Sequence, residues 1–244
     1  MQRGVIYFAK GEKYLKECVV SAKSFKKYHP NINLCLFTPD TKFAHKVFNS
    51  IIHIDEQDSP FKTKVDALSK TPFEFTLFLD TDTVVKNSCY ELFDFLLSYD
   101  MGVANRVKCD WGRETKFISY IDSESYNTGV VLYRMNNKIK KFFTIWKDQL
   151  FRQDAKTIVA GVFCDQYYFN KLIFQDQACK ELQIKIVELP NKKYNARPHL
   201  LRQLKLDDEL NEIKILHMHL DNSLKGKLNT LKTKLKHKTK EFFK

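Results

Sequence analysis

A chain of 244 residues and 28.8 kDa is long enough to bury a sizeable core, as one large domain or two small ones. Its 43% hydrophobic and 14% aromatic content excludes wholesale disorder, and its 7 Gly form neither GxGxxG nor GxxxxGK[ST], which excludes the dinucleotide and P-loop fingerprints. The formal charge of +12 invites a polyanionic partner until it is divided: residues 224–244 hold eight Lys and one Glu, leaving only +5 on the preceding 223 residues.

No stretch approaches 18 consecutive apolar residues, and Met1-Gln2-Arg3-Gly4-Val5 lacks the apolar run of a signal peptide. The expectation is a chain made in the cytosol, soluble or peripheral to a membrane. The six cysteines, at positions 18, 35, 89, 109, 164 and 179, form no CxxC pair and read as reduced core residues.

In chain order, Gly4–Ala9 reads as a buried strand. Tyr14, Leu15, Cys18, Val19, Ala22 and Phe25 then share one face of a helix that ends near His29-Pro30. Leu34–Phe37 is a second strand, Phe43–Phe48 a short helix, Ile51–Ile54 a third strand, Lys62–Lys70 a helix and Phe75–Leu79 a wholly apolar fourth strand. Later come a helix over Tyr90–Leu97, strands near Met101–Ala104 and Gly129–Tyr133, and helices at Ile139–Leu150 and Gln166–Phe174. The last strands are Ile184–Leu189 and Lys214–Leu220. Strands that alternate with helices predict a mostly parallel sheet covered on both faces. No linker composition or repeat interrupts it, so the expected division is one domain over residues 1–223 and a basic tail over 224–244.

The segment Phe78-Leu79-Asp80-Thr81-Asp82 carries the most chemistry. An apolar strand releases two carboxylates at its C-terminal end, where open α/β sheets bind ligands. Residues two apart in extended chain point the same way, so Asp80 and Asp82 can share one hard cation; the plainer alternative is a turn that caps the strand. Three later segments accompany it in order: Tyr126-Asn127-Thr128-Gly129-Val130, Cys164-Asp165-Gln166 and Ile215-Leu216-His217. Read alone, they are a turn before a strand, the N-cap of a helix and a buried strand.

Taken together, the four segments resemble a GT-A fold nucleotide-diphospho-sugar glycosyltransferase, most similar to family 8, the glycogenin and bacterial galactosyltransferase group. The resemblance covers about Gly4 to Lys227. It implies an α/β GT-A domain (Rossmann-like, with a mostly parallel central sheet) and transfer of a hexose from a nucleotide sugar, a UDP-hexose, to a hydroxyl with retention. By the same resemblance Asp80, Asp82 and His217 hold Mn²⁺ or Mg²⁺, Asn127, Thr128 and Gly129 line the donor-sugar pocket, and Asp165 and Gln166 stand near the anomeric carbon.

The chain departs from the family after the late strand, where it reads His217-Met218-His219-Leu220 instead of carrying the usual Lys-Pro-Trp. His219 is therefore an alternative metal ligand, and Lys225 and Lys227 are candidates for the diphosphate. Lys62 and Lys64 precede the carboxylate strand and are placed to approach a phosphate, with an exposed helix face the expected fate of at least one. Phe8 and Ala9, ending the first strand, are nucleobase candidates or plain core. Asp40 is a turn former or a nucleoside contact. Trp111 and Arg113 lie in a polar stretch over residues 108–125 that is long enough for an acceptor loop.

In the tail, Leu224, Leu228, Leu231 and Leu235 recur at helical spacing among lysines. A basic amphipathic helix of this kind fits an anionic membrane surface on the cytoplasmic side, and a glycan or lipid-linked acceptor suits that place. Two other readings stand beside the enzyme: a nucleic-acid-binding protein, for which the body carries too little charge, and a nucleotide-sugar-binding relative without turnover. No nucleic-acid partner is expected.

Overall fold

The computed structural model describes residues 2–105, 125–153 and 164–218. The chain begins with β1 (Arg3–Phe8), α1 (Glu12–Tyr28), β2 (Asn33–Thr38), β3 (Ser50–His53), α2 (Pro60–Ser69) and β4 (Phe75–Leu79). There follow β5 (Thr83–Val85), α3 (Leu92–Phe95), β6 (Met101–Asn105), β7 (Tyr126–Arg134) and α4 (Asn137–Phe151). Last come α5 (Asp165–Asn170) running into a π-helical turn (Lys171–Gln175), α6 (Ala178–Glu181), β8 (Ile186–Leu189), α7 (Asn191–Tyr194), α8 (Leu201–Leu206) and β9 (Ile215–His217).

Seven of these strands form one sheet in the order β3-β2-β1-β4-β7-β6-β8, in which β7 alone runs against its neighbours. Strand alternation sorts the apolar side chains to two faces. On one face Val5, Tyr7, Leu36, Leu77, Leu79 and Leu132 pack under Cys18, Ala22 and Phe25 of α1. On the other, Ile6, Phe37, Phe78, Val131 and Tyr133 meet Val65 and Leu68 of α2 and Phe142, Phe143 and Trp146 of α4. All five residues of β4 are buried because both faces are covered. Helix starts follow their caps: Ser59 accepts from the Phe61 N–H before Pro60, and Asn136 accepts from the N–H groups of Lys138 and Ile139. The five described cysteines are free thiols, and four of them are buried.

Several expected elements change. Residues 43–48 are not helical: turns over 40–43 and 45–48 are closed by Phe43 N–H to Asp40 C=O and Phe48 N–H to His45 C=O. Side chains five apart on a helix diverge by roughly 140°, so Phe43 and Phe48 both reach the core only because the segment is not helical. The helix expected over Tyr90–Leu97 shrinks to Leu92–Phe95 between turns. The late helix begins at Asp165, capped by Cys164, so Asp165 is its first residue and not its N-cap. It turns π-helical after Asn170, and β7 starts three residues before Gly129.

The small second sheet was not expected. Here β5 leaves the main sheet and pairs antiparallel with β9, placing Thr83 opposite His217. The tail over 224–244 lies outside the described residues.

Candidate active site

The parallel strands β1, β2 and β4 end along one edge of the sheet, and the site is built there. The Asp80 N–H donates to Gly129 C=O at 2.8 Å, extending the β4–β7 ladder one residue beyond β4. Asp80 C=O then accepts from Thr83 N–H at 3.2 Å and from Thr83 Oγ1 at 2.8 Å, which turns the chain out of the sheet and into β5. Met218 N–H donates to Asp82 C=O at 2.7 Å, locking the end of β9 to that turn. Backbone bonds thus bring Asp80 beside Gly129 and Asp82 beside Met218, residues far apart in sequence.

One potential ligand atom from each of Asp80, Asp82 and His217 lies within 4.8 Å of the others. His217 Nε2 stands 3.1 Å from Asp82 Oδ1 and 3.9 Å from Asp80 Oδ2. Asp82 and His217 are buried, while the Asp80 side chain keeps 30% of its surface open. His217 Nδ1 on the other side of the ring meets Asn195 Oδ1 at 2.7 Å. The ring lies directly on Gly129, where any Cβ would come within 2.1 Å of Cε1.

Behind the carboxylates, buried Lys64 of α2 bridges two sites. Its Nζ lies 3.0 Å from Asp80 Oδ1, 2.9 Å from Asp165 Oδ2 and 3.2 Å from Thr128 C=O, to which it donates. Burial alone would depress this ammonium, yet the Asp165 and Asp80 carboxylates outweigh it and hold Lys64 above the ordinary lysine value. Burial pushes the Asp80 carboxyl above its ordinary value, aided by the charges of Asp82 and Asp165, while Lys64 and His217 pull the other way. Such crowding of carboxylates favours a bound cation.

Asp165 is 3% exposed and is fixed twice more: Thr128 Oγ1 donates to its Oδ2 at 2.9 Å, and Trp146 Nε1–H donates to its C=O at 3.0 Å. Gln166 Oε1 accepts from Asn127 Nδ2 at 3.0 Å and from Thr128 N–H at 3.3 Å. Asn127 Oδ1 in turn accepts from Gly129 N–H at 2.9 Å. The fold therefore brings Lys64, Asp80, Asp82, Asn127, Thr128, Gly129, Asp165, Gln166 and His217 into one connected group.

Other candidates stand apart. Lys62 is buried but turned away, donating to Asp58 Oδ2, Phe151 C=O and Gln153 C=O, so the expectation that it approaches a phosphate is corrected. Neither it nor Lys64 lies on an exposed helix face. Ala9 is buried and donates its N–H to Phe37 C=O, and half-buried Phe8 packs beside the second core. Asp40 Oδ2 accepts from Gly11 N–H at 2.9 Å, where Gly11 has φ +81°, and so ties the end of β2 to the start of α1. His219, Lys225, Lys227, Trp111, Arg113 and residues 106–124 lie outside the described residues.

Sequence reasoning missed Asn195, Asn170 and Trp146. No motif spacing marks Asn195, a fully buried residue between Tyr194 and Ala196. Asn170 was obscured because it falls inside a helical pattern, where its neighbours explain the periodicity.

Comparison with known proteins agrees with this geometry. The galactosyltransferase LgtC, in complex with donor and acceptor sugar analogs, superposes with a TM-score of 0.52 at 16% identity, covering 90% of this chain and 91% of LgtC. GlyE from Streptococcus pneumoniae TIGR4 gives 0.61 at 18% identity and the bifunctional glycosyltransferase WbbM 0.60 at 14%, each over 90% of this chain. The chain spans 55% of GlyE and 46% of WbbM. Among curated proteins, none matches the sequence. The sheet order and these likenesses place the fold with the GT-A glycosyltransferases. The description nucleotide-diphospho-sugar transferase matches residues 62–231, more than two-thirds of the chain and all of the connected site, and the chain belongs to that family of glycosyltransferases.

Proposed function

We propose that the protein transfers a hexose from a UDP-sugar to a hydroxyl of a glycan or lipid-linked acceptor, with retention and with Mn²⁺ or Mg²⁺ held by Asp80, Asp82 and His217. The observation that carries this reading is the meeting of those three side chains within 4.8 Å at the end of the carboxylate strand. The donor set fits the ion: two carboxylates and one imidazole suit a hard or borderline divalent cation, and Gly129 gives the His217 imidazole the place that a side chain would deny it. The cation supplies neutralisation of charge on the departing diphosphate.

The remaining roles follow from the chain's own groups. Lys64 holds Asp80 and Asp165 together so that the carboxylates of the donor end and the sugar end keep fixed places without mutual repulsion. Asp165, pinned by Thr128, lends negative charge near an anomeric carbon as the glycosidic bond breaks and oxocarbenium character develops. Gln166 has its Oε1 occupied by Asn127 and Thr128, which leaves its Nε2 end to orient a sugar hydroxyl. Phe8, Ala9 and Asp40 share the same sheet edge and are assigned to the nucleoside; Lys225 and Lys227 are assigned to the diphosphate. The lysine-rich sequence over 224–244, with its leucine stripe, supports a place at the cytoplasmic face of an anionic membrane.

A panel of UDP- and GDP-sugars with Mn²⁺, read as donor hydrolysis and transfer, tests the assignment. Turnover is expected with a UDP-hexose, and Asp82→Ala should lower kcat/KM by roughly 100-fold or more, the scale of losing a principal electrostatic stabiliser. Full activity in that variant would sink the metal-site reading.

A further inference from the structure

We infer that Asn195 is a positioning residue for the cation site: its side-chain carbonyl holds the proton of the His217 ring on Nδ1 and so turns the lone pair of Nε2 toward the ion. This rests on the reading of Asp80, Asp82 and His217 as ligands.

Three observations carry it. Asn195 Oδ1 lies 2.7 Å from His217 Nδ1, while Nε2 on the far side of the ring faces Asp82 and Asp80. A carbonyl oxygen has no proton to give, so at this distance Nδ1 is the donor, and whenever the ring is neutral the free lone pair is the one on Nε2. Asn195 is 0% exposed, and among the described residues its Nδ2 has no hydrogen-bond partner. A buried amide left half-satisfied is costly to the fold and is retained here for the half that is used.

The backbone fixes the amide where it is needed. Asn195 N–H donates to Asn191 C=O, closing α7, and Ala196 N–H donates to Ile215 C=O while His217 N–H donates to Ala196 C=O. This short parallel bridge sets Asn195 and His217 side by side. Gly129 lies against the ring, where an added Cβ would fall 2.1 Å from Cε1 and 2.8 Å from Nδ1, so the ring keeps this place only beside a glycine. Were the amide turned over, Nδ2–H would point at Nδ1, the ring proton would move to Nε2, and that nitrogen would be closed to a cation.

Mn²⁺ binding to the purified protein without nucleotide, followed by electron paramagnetic resonance of the free ion, provides the test. Asn195→Leu, close in size and without an acceptor, should weaken Mn²⁺ binding by roughly 10- to 100-fold, the range for losing the partner of a ligating histidine. Asn195→Asp, which accepts the same proton, should stay within a few-fold of wild type. Equal losses in both variants, or wild-type affinity in Asn195→Leu, would overturn the inference. If Asp82→Ala and His217→Ala also bind Mn²⁺ as wild type does, it is the cation site itself that fails.

A second measurement needs no folded variant. In the wild type loaded with Cd²⁺, ¹⁵N ring shifts should show His217 protonated on Nδ1 and metallated on Nε2. The reverse pattern, or a ring without metal while Cd²⁺ is bound, would refute the role of Asn195.

Discussion

A methyl group at position 129 would fall 2.1 Å from His217 Cε1 and 2.8 Å from Asp80 Oδ2, and both neighbours are already tethered. His217 is gripped by Asn195 and Asp82, and Asp80 by Lys64. Neither side chain can yield without leaving the cation site. Gly129→Ala is therefore expected to reduce Mn²⁺ affinity by more than about 10-fold, measured by isothermal titration, with glycosyl transfer falling alongside. Retained affinity would mean that the ring can move. The sequence marks Gly129 through its place in Tyr126–Val130, but the reason for glycine is His217, which arrives from a distant strand and leaves no local trace. Asp80 and Asp82 were legible because two carboxylates directly follow an apolar strand, although it is a turn closed by Thr83 N–H to Asp80 C=O, and not extended chain, that carries them both to the site. Lys64 sat between these cases, because an amphipathic helix pattern cannot tell a lysine that reaches inward to carboxylates from one that reaches into water.

At the scale of elements, the joint between α5 and β7 fixes the end of the site that holds Asn127, Thr128 and Gln166. Buried Asn170 accepts from Tyr126 N–H at 2.6 Å and donates to Tyr126 C=O at 2.9 Å and Gln166 C=O at 2.8 Å, so one side chain clamps a strand edge to a helix turn. Asn170→Ala leaves the peptide groups on both sides of Tyr126 without that partner and should cost about 2 kcal/mol of stability, read from urea midpoints. It should also raise the donor KM, because Asn127 and Gln166 flank the clamp; an unchanged KM would confine the effect to the fold. Long elements with a single period, such as α1, α4 and β4, were readable from the sequence to within a few residues. Of the two three-residue strands, Ile215–His217 was read within a longer strand over 214–220, whereas Thr83–Val85 is too short for its alternation to be recognised, and the pairing of the two satisfies both backbones. Residues 43–48 have the composition of a helix, yet tertiary contact of both phenylalanines prevailed over local propensity.

For the whole molecule, buried His29 links acid conditions to stability. His29 ends α1, lies with its ring tilted 33° and 4.5 Å from the Phe25 ring, and accepts the Cys89 N–H on Nε2 at 3.1 Å, an acceptor role that requires the neutral ring. Burial depresses its pKa, with Lys214 acting in the same sense and Glu91 against it. The unfolded chain then binds a proton near an ordinary histidine value of about 6.5 while the folded chain resists it, so stability is complete above that pH and falls as pH drops toward the lowered folded value. Denaturation between about pH 7.5 and about pH 5.5 should show a larger loss in wild type than in His29→Gln, which can accept the same N–H without titrating. Parallel curves would remove His29 as the cause.

The pairing of β5 with β9 also has a consequence in time. A nascent chain exposes Lys64 first, then Asp80 and Asp82, then Asp165, and His217 last of all. Until β9 docks, the two carboxylates have neither their imidazole partner nor the strand that aligns it. On the reading proposed above, loading with metal waits on the pairing of β5 with β9, and a chain whose synthesis stalls before β9 carries the motif without the site.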